Sequence, residues 1–131
     1  MEIETRERLR PTYESATYEV WFEDGPRRFR VGSRASDHCA EPFALVTGYN
    51  PGGETTPETI NEASNAMLEI ELQGRGFRYH LASGHDADWT HDEPSFAVFA
   101  ISQEQALAIA GRFRQAAIFW WDGKRGSLLW L

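Results

Sequence analysis

Three short apolar runs dictate most of what this chain can become: "FALVTGY" (43–49), "SFAVFAI" (95–101) and "AAIFWW" (116–121). None approaches the roughly 18 apolar residues that cross a bilayer. Turn or cap residues end each one: "NPGG" after the first, "SQEQ" after the second, "DGKRG" after the third. They read as strands, the first two of buried type. Two further segments alternate with period two. "SATYEVWF" (15–22) sets Tyr18, Val20 and Phe22 against Thr17, Glu19 and Trp21, and "FRYHLASG" (77–84) repeats the pattern. "EDGPRR" (23–28) is a turn signal followed by a short returning strand, "RFRVG" (28–32), so the chain opens with a hairpin. "SRASDHCAE" (33–41) reads as a loop or a short helical turn, and "SLLWL" (127–131) as a last strand.

Two helices stand between these strands. The first starts with Thr56 as N-cap and Pro57 at N1, or with Thr55 and Glu58 in a capping box. Its expected apolar stripe is Ile60, Ala63, Met67 and Ile70 with Leu68 and Leu72, and "QGRG" (73–76) stops it. The second begins at the capping box "SQEQ" (102–105) and runs through Ala106, Leu107, Ile109, Ala110 and Phe113. From residue 43 the order is β-α-β-β-α-β-β. That order predicts an α+β fold: a single mostly antiparallel sheet with two main helices packed on a face. Its core is a ferredoxin-like split βαβ, with an N-terminal hairpin and an extra C-terminal strand. Residues 1–13 are expected as a partly ordered lead-in ending at Pro11, and 14–131 as a single domain.

Composition excludes several functions. One cysteine, Cys39, forms no intramolecular disulfide. The charged start "MEIETRERLRPTYE" lacks the apolar region of a signal peptide, so the expected location is cytoplasmic, with no membrane association. Net charge is −7, and the acids are dispersed over both halves of the chain. Without a basic face, nucleic acid is not an expected partner, and dispersed acids are a poor mimic of DNA.

Chemistry concentrates at the strand-to-helix junction "NPGGETTPETINEASN" (50–65). Free N–H groups at a helix start favour anions. Yet neither nucleotide fingerprint is met, Glu54 opposes a phosphate, and no cofactor is called for. The asparagines say more. Asn61 and Asn65 lie four apart on one helix face, where asparagine is unfavourable unless its amide has a task. They either tie down the Asn50 loop or line a polar pocket. "GHDADWTHDEPS" (84–95) holds His85, Asp86, Asp88, His91, Asp92 and Glu93, but no metal-ligand spacing, so no metal site is expected. Glu93, just before Pro94 and an apolar strand, is the one candidate general base, since partial burial would raise its pKa. Cys39 beside His38 makes no recognisable nucleophile. Trp120 and Trp121 must face opposite sides of their strand, one under the helices; the other, with Trp130, is a candidate partner or homodimer surface.

"LVTGYNPGG" (45–53), "NEASNAMLEIEL" (61–72), "EPSFAVFAIS" (93–102) and "FRQAAIFWW" (113–121) together resemble the DUF3293 family, small bacterial domains of unknown function. Thr17-Tyr18-Glu19-Val20 answers to the family's start and Val46-Thr47-Gly48-Tyr49-Asn50-Pro51 to its central motif. Asn61 and Asn65 match its helix, Glu93-Pro94-Ser95-Phe96 its later strand, and Phe113-Arg114-Gln115 its end. Gly48 stands where the family more usually has Ala, and Arg114 where Gly is commoner. The resemblance implies no reaction, but it gathers Asn50, Asn61, Asn65, Glu93 and Gln115 into one set. Such a set suits a small polar ligand such as a nucleotide or sugar, with Glu93 as the base if there is catalysis. The alternative is a non-catalytic interaction module using an acidic surface or exposed tryptophans.

Overall fold

The computed structural model describes residues 3–32 and 39–131. Seven strands form one sheet: β1 (Thr17–Phe22), β2 (Gly25–Phe29), β3 (Phe43–Val46), β4 (Tyr79–His85), β5 (Asp92–Phe99), β6 (Ala117–Trp121) and β7 (Gly126–Trp130). Their order is β2-β1-β4-β5-β3-β6-β7, and every neighbouring pair is antiparallel. Among the described residues three α-helices accompany them: α1 (Ile3–Ser15), α2 (Glu58–Gly74) and α3 (Gln103–Arg112). The fold is therefore α+β, as the order of apolar runs predicts.

The sheet curls until its two edges meet. A parallel bridge pairs Val31, just past β2, with Gly126 at the start of β7, and Gly32 N donates to Gly126 O at 2.8 Å. Gly126 permits that approach: a Cβ there would lie 2.4 Å from the Phe119 ring and 2.7 Å from Arg30 O. The concave face encloses an aromatic core in which Phe43 packs against Phe29, Phe99 and Phe119, and Phe29 against Trp121. The convex face packs Val46, Phe96, Val98, Ile118 and Trp120 under α2 and α3. Trp120 and Trp121 do face opposite ways, but both are buried. Trp130 is half-buried, stacked on Tyr13 of α1 at 5.5 Å with Arg6 and Arg10 over its ring. The large exposed tryptophans are instead Trp21 and Trp89.

Three local expectations are corrected. The N-terminal segment expected as a lead-in is helix α1, with Pro11 inside it. Its one buried residue is Leu9, so it carries no readable apolar stripe; Arg10 bridging Glu7 and Glu14 and the Tyr13–Trp130 stack hold it instead. Helix α2 starts at Glu58 without a side-chain cap from Thr55 or Thr56. Its buried face is Asn61, Leu68 and Leu72, whereas Ile60, Met67 and Ile70 are over half exposed. α3 begins as expected: Gln105 N donates to Ser102 Oγ and Ser102 N to Gln105 Oε1, both at 3.0 Å. Of the 33–41 segment, residues 33–38, including His38, lie outside the described residues.

Candidate functional site

Asn50 ends the central strand in a left-handed conformation (φ 47°) and turns the chain through a 3₁₀ turn, Pro51–Gly53. Such a backbone is costly for a residue with a Cβ unless neighbours hold it. Here Asn61 holds it. Asn61 Oδ1 accepts from Asn50 N (2.8 Å), and its Nδ2 donates to Asn50 Oδ1 (2.9 Å) and Thr56 O (3.1 Å). Asn50 Oδ1 also accepts from Thr56 N at 3.0 Å, which fixes the loop just ahead of α2. One turn on, Asn65 Oδ1 accepts from Gly48 N (2.8 Å) and its Nδ2 donates to Pro94 O (3.3 Å). The helix can come this close only because residue 48 is glycine; a Cβ would sit 2.8 Å from Ser64 C.

Glu93 and Gln115 complete the set. Asn50 Nδ2 donates to Glu93 Oε2 at 2.9 Å. Gln115 Nε2 donates to Tyr49 O and Phe113 O, both at 3.2 Å. Burial pushes the Glu93 carboxyl above its ordinary range, with the Asn50 bond opposing the shift and the Asp92 charge adding to it. Tyr13 of α1 is pushed up to about 12, chiefly by burial and in lesser part by the Glu93 charge. The structure thus bonds Asn50, Asn61 and Glu93 to one another, and sets Asn65 and Gln115 beside them through the backbone of Gly48, Pro94 and Tyr49. Asn61 and Gln115 are buried, and most of these amide bonds go to backbone groups.

A second feature lies on the other side of β5. Between α2 and the convex faces of β1, β4 and β5 runs a groove of roughly 470 Å³. Asn65 belongs to its wall, so it borders the network. Trp21 and Leu81, 41% and 59% exposed, flank it, and Pro94 and Phe96 form part of its floor. Glu62 and Glu69 of α2 and Asp92 of β5 bring carboxylates to it, and among the described residues no Lys, Arg or His lines it. Ser83, also in the lining and only 3% exposed, has a buried Oγ with no hydrogen-bond partner among the described residues. Glu93 is not among its lining residues.

Beside the groove, Glu19 is buried and accepts from Arg28 Nε at 2.9 Å, with His85 Nε2 at 3.4 Å. His85, under a Trp89 ring stacked at 3.4 Å, is also buried. Sequence reading placed His85 in a solvated loop. The period-two alternation of 77–84 extended by one residue would have put His85 and Ser83 on the face opposite Ala82.

What the fold and these features define is a small α+β domain with a polar scaffold at its central strand-to-helix junction and an open groove beside it. The chain belongs to a family described as "Protein of unknown function (DUF3293)", whose model matches residues 46–118. That span contains all five network residues and most of the groove. No curated protein and no solved structure matches the chain.

Proposed function

We propose that this domain binds a small polar, non-anionic ligand in the groove between α2 and strands β1, β4 and β5. The carrying observation is the groove itself, of ligand size and flanked by the exposed side chains of Trp21 and Leu81. The asparagine network belongs to this reading as support, fixing α2 and hence the groove wall, with Asn65 shared between the two. The carboxylates favour a sugar-like ligand over a nucleotide, whose phosphates they would repel. Glu93 lies outside the lining, so the reading is binding without a general base. The strand order β6-β3-β5-β4, with β5 between two strands joined through α2, fits a ferredoxin-like core as the platform.

A thermal-shift screen against sugars, amines, amino acids and nucleotides tests it, because a ligand of the native state raises stability by mass action. Hits should vanish in Ala66→Trp, which fills the groove from an exposed helix position. Hits that persist in that variant would place the ligand elsewhere and end this reading. A second reading, an interaction module, draws on one observation: Ile60, Met67 and Ile70 form an exposed apolar stripe on α2. Chain-length-independent elution as a monomer and no loss of function in Met67→Glu would count against it.

A further inference from the structure

Resting on the second reading above, we infer that the exposed face of α2 is a dimer seam: two copies of this chain pair their α2 helices antiparallel, about a two-fold axis at Met67. The spacing of that face is the first argument. Ile60, Ala63, Met67, Ile70 and Gly74 recur at alternating intervals of three and four, the repeat by which one helix packs along another. All five are exposed, Ile60, Met67 and Ile70 by 54%, 61% and 61%. The helix already has its core face in Asn61, Leu68 and Leu72, so this is a second apolar face on the same element. It runs about 21 Å at a rise of about 1.5 Å per residue.

Size and charge point to a second copy as the occupant. With the axis at Met67, Ile60 lies at the level of the second copy's Gly74, and Ala63 at the level of its Ile70. Each isoleucine therefore meets a small residue, and the two adaptable Met67 side chains meet each other. Gly74 has room for Ile60: a Cβ built there meets nothing within 4 Å. Bordering the seam are Thr59, Ser64, Ala66, Gln73 and Glu71, and Glu71 is answered by Arg112 and Arg75 of its own chain. Such neutral flanks suit a copy of the same seam better than a strongly charged partner. Antiparallel pairing also opposes the helix dipoles. It sets the acidic start of α2, Glu58 and Glu62, at the level of the other copy's Arg75 and Arg112. An anionic membrane is disfavoured, since α2 carries four glutamates and no base. The groove stays open, because its residues Glu62 and Glu69 lie on the side of α2 turned away from the seam.

Sedimentation velocity of the full chain over a concentration series is the test. It should show a monomer–dimer equilibrium with a dissociation constant on the order of 10 μM, since one helix pair buries less than a standard interface. Met67→Glu should weaken the dimer at least about a hundredfold, because two carboxylates then meet on the axis. Gly74→Leu should weaken it about tenfold by filling the space for Ile60. Adding Ile60→Ala to Gly74→Leu exchanges large for small within the same layer and should restore most of that loss. Both single variants should keep the wild-type urea midpoint at low concentration, which separates a lost dimer from a lost fold. A monomer at every concentration overturns the inference and leaves the stripe as a surface for a different protein. A dimer that persists in Met67→Glu overturns the inference and the stripe reading together. A dimer lost in Met67→Glu but indifferent to Gly74→Leu overturns the antiparallel pairing.

Discussion

The asparagine junction and the groove share Asn65 and face each other across β5, yet they treat polar groups in opposite ways. At the junction, Asn61 donates twice and accepts once, and Asn50 and Asn65 are bonded through both amide atoms. In the groove, among the described residues, Ser83 Oγ has no partner and Glu62, Glu69 and Asp92 have no counter-charge. A saturated network stabilises the fold and has little left to offer a ligand. An unsaturated surface costs stability, and that cost is tolerable where a ligand removes it. Unused bonding capacity, rather than the number of polar residues, separates the candidate site from its support.

The sharpest way to break this contrast is Asn61→Ala. It would leave Asn50 N and Thr56 O without partners beside a left-handed residue, at a cost of about 2–4 kcal/mol. Urea unfolding should show the midpoint falling with an unchanged slope. A variant of wild-type stability that lost ligand binding would show that the amide belongs to the site and not to the scaffold. Gly48→Ala follows. Its Cβ would meet the Ser64 backbone at 2.8 Å and push α2 outward, costing about 1–3 kcal/mol. Because α2 is also the groove wall, NMR shifts should spread to Ala66 and Glu69; shifts confined to residues 46–50 would uncouple the two regions.

Much of the junction is legible from residue order alone, since asparagines four apart on a helix are unfavourable unless they bond to something. Where their bonds go is not legible, because Pro94 and Gly48 reach them only through tertiary pairing. The same limit explains α2. Its apolar residues suggest a stripe through Ile60, Met67 and Ile70, but the buried face is turned by the Asn61 and Asn65 bonds, leaving that stripe in solvent. Helix α1 escaped because its fixing contacts, Leu9 against Gly53 and Tyr13 on Trp130, join segments far apart in the chain. The groove escaped for a different reason. Its lining comes from β1, α2, β4 and β5, and no local spacing records that Ser83 lacks a partner.

Ser83→Ala sharpens the contrast from the groove side. Removing a buried hydroxyl that has no partner among the described residues should raise stability by up to about 1 kcal/mol, read as a higher urea midpoint. A fall in stability would mean that the hydroxyl is bonded after all and that the groove is as saturated as the junction.

The smallest effect is expected at Glu93, the one junction residue whose charge is under strain. Burial raises its folded-state pKa above the unfolded value, so the native protein holds this proton more tightly than the unfolded chain. Its contribution is therefore most favourable below the ordinary glutamate range and is lost as pH rises through the folded value. Glu93→Gln keeps an oxygen to accept from Asn50 Nδ2 and removes the titration. The variant should be slightly more stable than wild type at neutral pH, and the two should converge as the pH is lowered below about 4, where the unfolded glutamate is also protonated. Paired urea midpoints from pH 7 down to pH 4 measure the difference. A variant less stable than wild type at neutral pH, with the gap closing toward acid, would mean that Glu93 is held as a stabilised carboxylate, and the junction would then contain a charge available to a ligand after all.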